Sequence, residues 1–430
     1  MFKKLPIRRA VVVLAISCLI LSLTGCGGAK TGADAGNSAS TEARDYYKVG
    51  VITSLSGAEV QGGNITKYGY DLWAETVNNK GGIKVGDKGY QVKLVYADDQ
   101  SDPAAGANAV ERMITSEKVD FILGPYTSGV TKAVAPILDK YKVPMITGSA
   151  ESPSIWTQKF KYTFGSVPAA DLTAISPLET LSKLPNPPKT VAVLGVNDAF
   201  SKAVAEAFKA SAEKNGITVV KFDVVPAGTD FTPLISAIKQ LNPDVLAVGG
   251  HENEHMEVIK ASKSLGFMPK AFVMHYGITN PDFSKNLGKD ADYTFGAAVW
   301  TPDLDLKDDL FGSAQDYVKA YKDKYNAIPD YTAAACSATG ESFSAALAKI
   351  GAKPPLSDQQ REELTKTLEQ IEVNTFYGPI KFATDGNWYH DNVGLKALVI
   401  QMINGEQVIV GPEAMKAKDP VYPVPAFNVR

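Results

Sequence analysis

Short apolar runs alternate with longer stretches of helical periodicity along most of the chain. Residues 47–53, 90–97, 121–123 and 143–147 read as strands. Between them, 64–79, 104–116 and 129–141 place apolar side chains at helical spacing. Asp102-Pro103 supplies a cap and a first helical residue, and Gly81-Gly82 a stop. Residues 160–168 read as a crossing, after which the pattern restarts. Strands are expected at 190–195, 218–224, 244–249 and 271–274, with helices at 200–215, from about 229–233, and at 254–265. A second crossing at 293–300 precedes helices at 310–325 and 332–350. Residues 377–385 suggest a hairpin and third crossing, and 395–410 two strands joined by Asn404-Gly405. Strands alternating with helices predict parallel sheets covered on both faces.

One stretch concentrates candidate chemistry. The run Phe121-Ile122-Leu123 stops at Gly124-Pro125, and Ser128 is placed to cap the next helix. Val130, Val134, Ile137 and Leu138 give that helix its apolar stripe, and Pro136 inside it predicts a kink or two short helices. The loops 126–128 and 148–152 both follow carboxyl ends of parallel strands, where open α/β sheets bind ligands. Free amides at a helix start suit a carboxylate.

The amino terminus belongs to targeting rather than to the fold. Lys3, Lys4, Arg8 and Arg9 precede an uncharged, mostly apolar run at 10–23, ending Leu23-Thr24-Gly25-Cys26. That run is short for a membrane span and suits an export signal. Residues 1–26 resemble a bacterial lipoprotein leader, in which Cys26 receives the lipid and becomes the first residue. Residues 27–45 are rich in Gly, Ala, Ser and Thr and read as a disordered tether. Without the leader's four cations, 40 basic residues face 47 acidic ones, a charge of −7. Such a surface argues against nucleic-acid binding. Of three cysteines, Cys18 leaves with the leader and Cys26 is the lipid site, so Cys336 remains without a disulfide partner.

Several further pieces stand in a consistent order: Ser56-Gly57, Asn79-Lys80-Gly81-Gly82-Ile83, and the stretch from Ala97 through Asp98, Asp99, Gln100, Ser101 and Asp102 to Pro103. Gly124-Pro125 to Ser128, Val143-Pro144-Met145-Ile146-Thr147, Pro243-Asp244 to Gly250, and Tyr377-Gly378-Pro379-Ile380-Lys381-Phe382 with Asp385-Gly386 continue it. Together they resemble the solute-binding proteins of ATP-driven (ABC) importers, in the branched-chain amino acid receptor family. The resemblance implies a type I periplasmic binding fold: α/β, two doubly wound parallel-sheet lobes joined by a three-segment hinge. The implied lobes are 46–166 with 299–384, and 167–298 with 385–430. It also implies an extracytoplasmic, lipid-anchored monomer that serves membrane permease subunits, needs no cofactor, and closes on a small ligand.

The family's ligand contacts fall on Tyr126, Thr127 and Ser128 at the helix start, and on Ser149, Ala150 and Glu151 in the next loop. Those of the second lobe fall on Phe200, His251 and Tyr276, and one late aromatic position is Cys336. Glu151 stands where a small hydroxyl residue is usual, and Tyr276 where an acid usually meets the ligand's ammonium. The implied ligand is a small carboxylate, either an amino acid or an aromatic or aliphatic acid. A ligand-sensing receptor of the same fold, acting through a partner, is the alternative. A remoter one is a zinc protease, because His251-Glu252-Asn253-Glu254-His255 matches H-E-x-x-H. That motif lies at a strand-to-helix junction rather than inside a helix.

Overall fold

The computed structural model describes residues 44–430. The expected leader with Cys18 and Cys26, and all but the last two residues of the expected tether, lie outside the described residues. The first sheet contains β1 (Tyr46–Thr53), β2 (Ile83–Val85), β3 (Lys88–Asp98), β4 (Phe121–Leu123), β5 (Met145–Thr147) and β6 (Thr163–Gly165), in the order β2-β3-β1-β4-β5-β6. Only the edge strand β2 is antiparallel, pairing with β3. Phe121, Ile122 and Leu123 are fully buried, as both faces of the sheet are covered. Val51 pairs with Leu123 and Leu123 with Ile146, so β1, β4 and β5 end at one edge. The loops 124–128 and 148–152 leave from that edge.

The second sheet contains β7 (Thr190–Val196), β8 (Thr218–Val225), β9 (Val245–Gly249), β10 (Ala271–Val273) and β11 (Phe295–Ala298). Two small hairpins follow, β12 (Lys307–Asp308) with β13 (Gly312–Ser313), and β14 (Glu372–Thr375) with β15 (Gly378–Lys381). The last strands, β16 (Leu398–Ile403) and β17 (Glu406–Gly411), complete the second sheet in the order β17-β16-β11-β10-β9-β7-β8. Between β11 and β16 the chain returns to the first lobe. There the helix Tyr331–Ile350 packs on the helix Val60–Asn79, with the Ser337 hydroxyl donating to the Gly69 carbonyl at 2.6 Å. The chain thus passes between the two sheets three times.

Each helix start explains its own placement. Asp102, Asp198, Asp230 and Asp330 accept from amides of the first turn, at 2.8–2.9 Å. The paired acids Asp98 and Asp99 likewise tie down strand-exit loops, accepting from Leu55 and Ser56 and from Ser54 and Ser101.

Several local expectations need correction. Thr127, not Ser128, caps the helix Ser128–Tyr141, accepting from the Val130 amide. That helix is continuous through Pro136. The stretches 160–168 and 293–300 are not crossings alone, since each first adds a buried strand, β6 and β11, to its sheet. The late hairpin turns at Phe376-Tyr377, whereas Gly386–Trp388 is a short 3-10 turn. Asn404 and Gly405 do join β16 to β17, both with positive φ as a two-residue turn requires.

Candidate functional site

The two loops at the edge of the first sheet are laced together. The Ser149 hydroxyl donates to the carbonyls of Pro125 and Tyr126, and the Ser152 amide donates to Ser128 Oγ at 3.1 Å. Thr147 Oγ1 donates to the Pro125 carbonyl and accepts from the amides of Ser149 and Ala150. The amides of Ser128 and Gly129, at the helix start, have no intrahelical acceptor. Ser128 is 2% exposed and, with Thr127, lines a sheltered space.

That space is a narrow pocket between the lobes. Its walls are Tyr126, Thr127, Ser128, Ser149, Glu151 and Thr332 from the first lobe, and Phe200, His251 and Tyr276 from the second. Eight of the ten positions named from the sequence line it. Cys336 does not. It is fully buried behind Gly148, where a Cβ on Gly148 would lie 2.7 Å from Cys336 Sγ. Thr332, one helical turn earlier, takes the wall position. Ala150 is buried beside the cavity with its amide held by Thr147, and does not line it.

The first-lobe wall carries one unusual group. Glu151 is 2% exposed, and its Oε1 accepts from the Tyr331 hydroxyl at 2.7 Å. Its Oε2 has no hydrogen-bond partner among the described residues. Burial pushes its carboxyl up to about 8, although Tyr331 and His251 pull the other way. His275 Nε2 lies 3.8 Å from Oε2 but bonds the Thr173 hydroxyl at 2.8 Å, and burial holds its imidazole down at about 3.

Across the cleft, the Tyr276 hydroxyl bonds the Tyr126 hydroxyl and donates to Glu252 Oε2 at 3.0 Å. Glu252 is 2% exposed, so an acid does stand in the second lobe, masked from the cavity wall by Tyr276. Burial would lower His251, but Glu59, Asp198 and Glu254 outweigh it and raise it to about 9. Its ring nitrogens lie 3.8 Å from Glu59 and 3.9 Å from Asp198, too far for hydrogen bonds. Phe200 packs on His251 and Tyr276 with ring centres 5.1 and 6.1 Å apart. Asp330, raised to about 7 by burial, caps the helix behind Tyr331. Glu59, Asp330 and Thr332 escaped the sequence reading, and Glu252 entered it only through the H-E-x-x-H match. Asp330-Tyr331-Thr332 has only a cap signature, and the others become neighbours only when the lobes meet.

The H-E-x-x-H residues do not converge. His251 is the N-cap of the helix Glu252–Ser264 and faces the cavity. His255 Nε2 bonds the Val248 carbonyl at 3.2 Å, and burial lowers its imidazole to about 3. Among the described residues, no group of three His, Cys, Asp or Glu is placed to hold a metal ion. No helix among them is long and apolar enough to cross a membrane.

A family model described as periplasmic binding protein matches residues 47–396. Leu/Ile/Val-binding protein homolog 3 of Brucella melitensis is 31% identical over 211 residues, about half of each chain (48% and 55%). The Leu/Ile/Val/Thr-binding protein of Salmonella typhimurium is 27% identical over 345 residues, 80% of this chain and 88% of its own. Among solved structures, LivJ of Streptococcus pneumoniae in complex with isoleucine superposes with a TM-score of 0.73 at 23% identity, covering 85% of this chain and all of the other. A solute-binding protein from R. palustris in complex with benzoate gives 0.71 at 22% identity, covering 85% and 96%.

Proposed function

Because the chain belongs to the periplasmic binding protein family and has its type I fold, we propose that it is the extracytoplasmic solute-binding component of an ABC importer. It captures a small carboxylate-bearing molecule between its lobes, 46–166 with 299–384 and 167–298 with 385–430, and works by closure rather than bond chemistry. A lipid on Cys26 tethers it as a monomer, and membrane permease subunits receive its cargo.

The observation that carries this reading is the seat at the start of the helix Ser128–Tyr141. A helix start with two amides that lack intrahelical acceptors, and the positive end of its dipole, stands at a pocket that Thr127 and Ser128 line and both lobes wall. A carboxylate there takes charge-assisted hydrogen bonds in a sheltered space. The names of relatives that bind Leu, Ile, Val or Thr, and the isoleucine and benzoate complexes, agree with such an anion end.

A thermal-shift screen of amino acids, aromatic acids and short-chain acids tests it, because a ligand of the folded state raises Tm by mass action. Carboxylates should shift the transition and neutral sugars should not. Ser128→Ala removes the hydroxyl that braces the Ser152 amide, and should weaken binding by about tenfold while the protein still folds. Undiminished affinity in that variant, or stabilisation by sugars alone, would remove the carboxylate seat.

A further inference from the structure

Glu151 is a buried acid that caps no helix and makes no short ion pair. We infer that the cargo is an α-amino acid, that Glu151 of the first lobe is the partner of its ammonium group, and that capture expels a proton from the Glu151 carboxyl. This rests on the carboxylate seat proposed above and adds the second charge.

The geometry supplies three parts of the case. Glu151 lines the same cavity as Thr127 and Ser128, through a loop bonded to that helix start by Ser152 and Ser149. Its Oε1 is fixed by Tyr331, which holds the carboxyl in one orientation. Its Oε2 is buried without a partner. A buried polar atom left unpaired is costly, and an ammonium placed on it would satisfy it. No other acid lines the cavity, since Glu252 is shielded by Tyr276 and donated to by it.

The proton follows from the surroundings. Around Glu151 stand Tyr331 and Tyr377, His275 and, farther off, His251 and Asp391. His275 is held neutral by burial, Tyr331 and Tyr377 stay protonated, and Asp391 is itself pushed up. The Tyr331 hydrogen bond and, less strongly, His251 oppose the burial that raises Glu151 to about 8, and together they do not outweigh it. At neutral pH the free protein therefore carries a Glu151 carboxylic acid. The ligand arrives with its ammonium already charged. On binding, the Glu151 O–H bond breaks, the proton goes to solvent, and the carboxylate pairs with the ammonium, so charge balances. Affinity then rises by up to tenfold per pH unit below about 8 and levels above it.

Calorimetry of the full chain with a panel of small amino acids and their deaminated acids, in buffers of different ionisation enthalpy, tests this. The expected result is release of nearly one proton per amino acid at pH 7, falling towards none at pH 9. Glu151→Gln should abolish that release and weaken amino-acid binding at least thirtyfold, while deaminated acids still bind and stabilise it, which shows the variant folded. Glu151→Asp should bind amino acids more weakly than wild type and retain proton release. Amino-acid binding without proton release, or undiminished in Glu151→Gln, overturns the inference. Binding of deaminated acids alone overturns it too, but leaves the carboxylate seat standing. No stabilisation by any carboxylate overturns both.

Discussion

Single residues make the site sensitive to pH even in ligand-free protein. Glu151, raised to about 8, and Asp330, raised to about 7, are both displaced upward by burial from values near 4 in an unfolded chain. A raised folded-state value means that the native state holds protons the unfolded state has already lost. Stability from this source is complete below pH 4 and is lost as pH climbs through 7 and 8. His255 and His275 run the other way. Held near 3, they stay neutral while the unfolded chain takes up protons below about pH 6.5, so they remove stability on acidification. Between pH 6.5 and 8 these two histidines are silent, while the two acids, and His251 with its value raised to about 9, all lose stability as pH rises. Ligand-free protein should therefore lose Tm from pH 6.5 to pH 8, and Glu151→Gln should flatten that slope and be the more stable protein at pH 8. A wild-type Tm that rises over this window would mean that Glu151 is ionised throughout.

At the scale of elements, the strands and helix starts were legible because each has a local physical cause. Buried parallel strands need continuous apolar runs, and Asp102, Asp198 and Asp230 announce helices by the amides they satisfy. The three missed strands of the large sheets, β2, β6 and β11, are only three or four residues long, and β6 and β11 lie inside stretches that also change lobes, so no period had room to show. Eight cavity positions could be named because their loops follow strand ends in motif order. Thr332 could not, because helical phase, not sequence similarity, decides whether position 332 or 336 faces the cleft. Close approach between elements was equally hidden. In the helix Val60–Asn79, a Cβ on Gly62 would lie 2.0 Å from the Tyr126 ring. Gly62→Ala should thus displace Tyr126 from Tyr276 and weaken ligand binding by about tenfold or more. Alanine is the better helix former, so a purely local role predicts equal or greater Tm and unchanged affinity. Calorimetry beside thermal melting separates the two.

At the scale of the whole molecule, the proposed capture rests on an equilibrium between open and closed lobes. Two contacts between the lobes favour closure besides the ligand. Tyr126 and Tyr276 join hydroxyls across the cleft, and at its mouth Gln61 Nε2 donates to Asp282 Oδ2 at 2.6 Å. Gln61 and Asp282 touch neither the cavity nor each other's lobe core, so their contact exists only when the lobes meet. A hydrogen bond to a charged group contributes about 1.5–3 kcal/mol, less where solvent reaches it. Its loss should cut the closed population relative to the open by about three- to tenfold. Affinity falls by the same factor wherever the open state dominates the free protein, because the ligand must then make up the missing closure energy. Gln61→Ala and Asp282→Ala should each show this loss, and the double variant should be no weaker than either alone, as expected when one contact is removed twice. Small-angle scattering should give both variants the wild-type radius of gyration at saturation. Additive losses in the double variant, or undiminished affinity in the single ones, would show that closure is governed by the tyrosine pair and the cargo rather than by this contact.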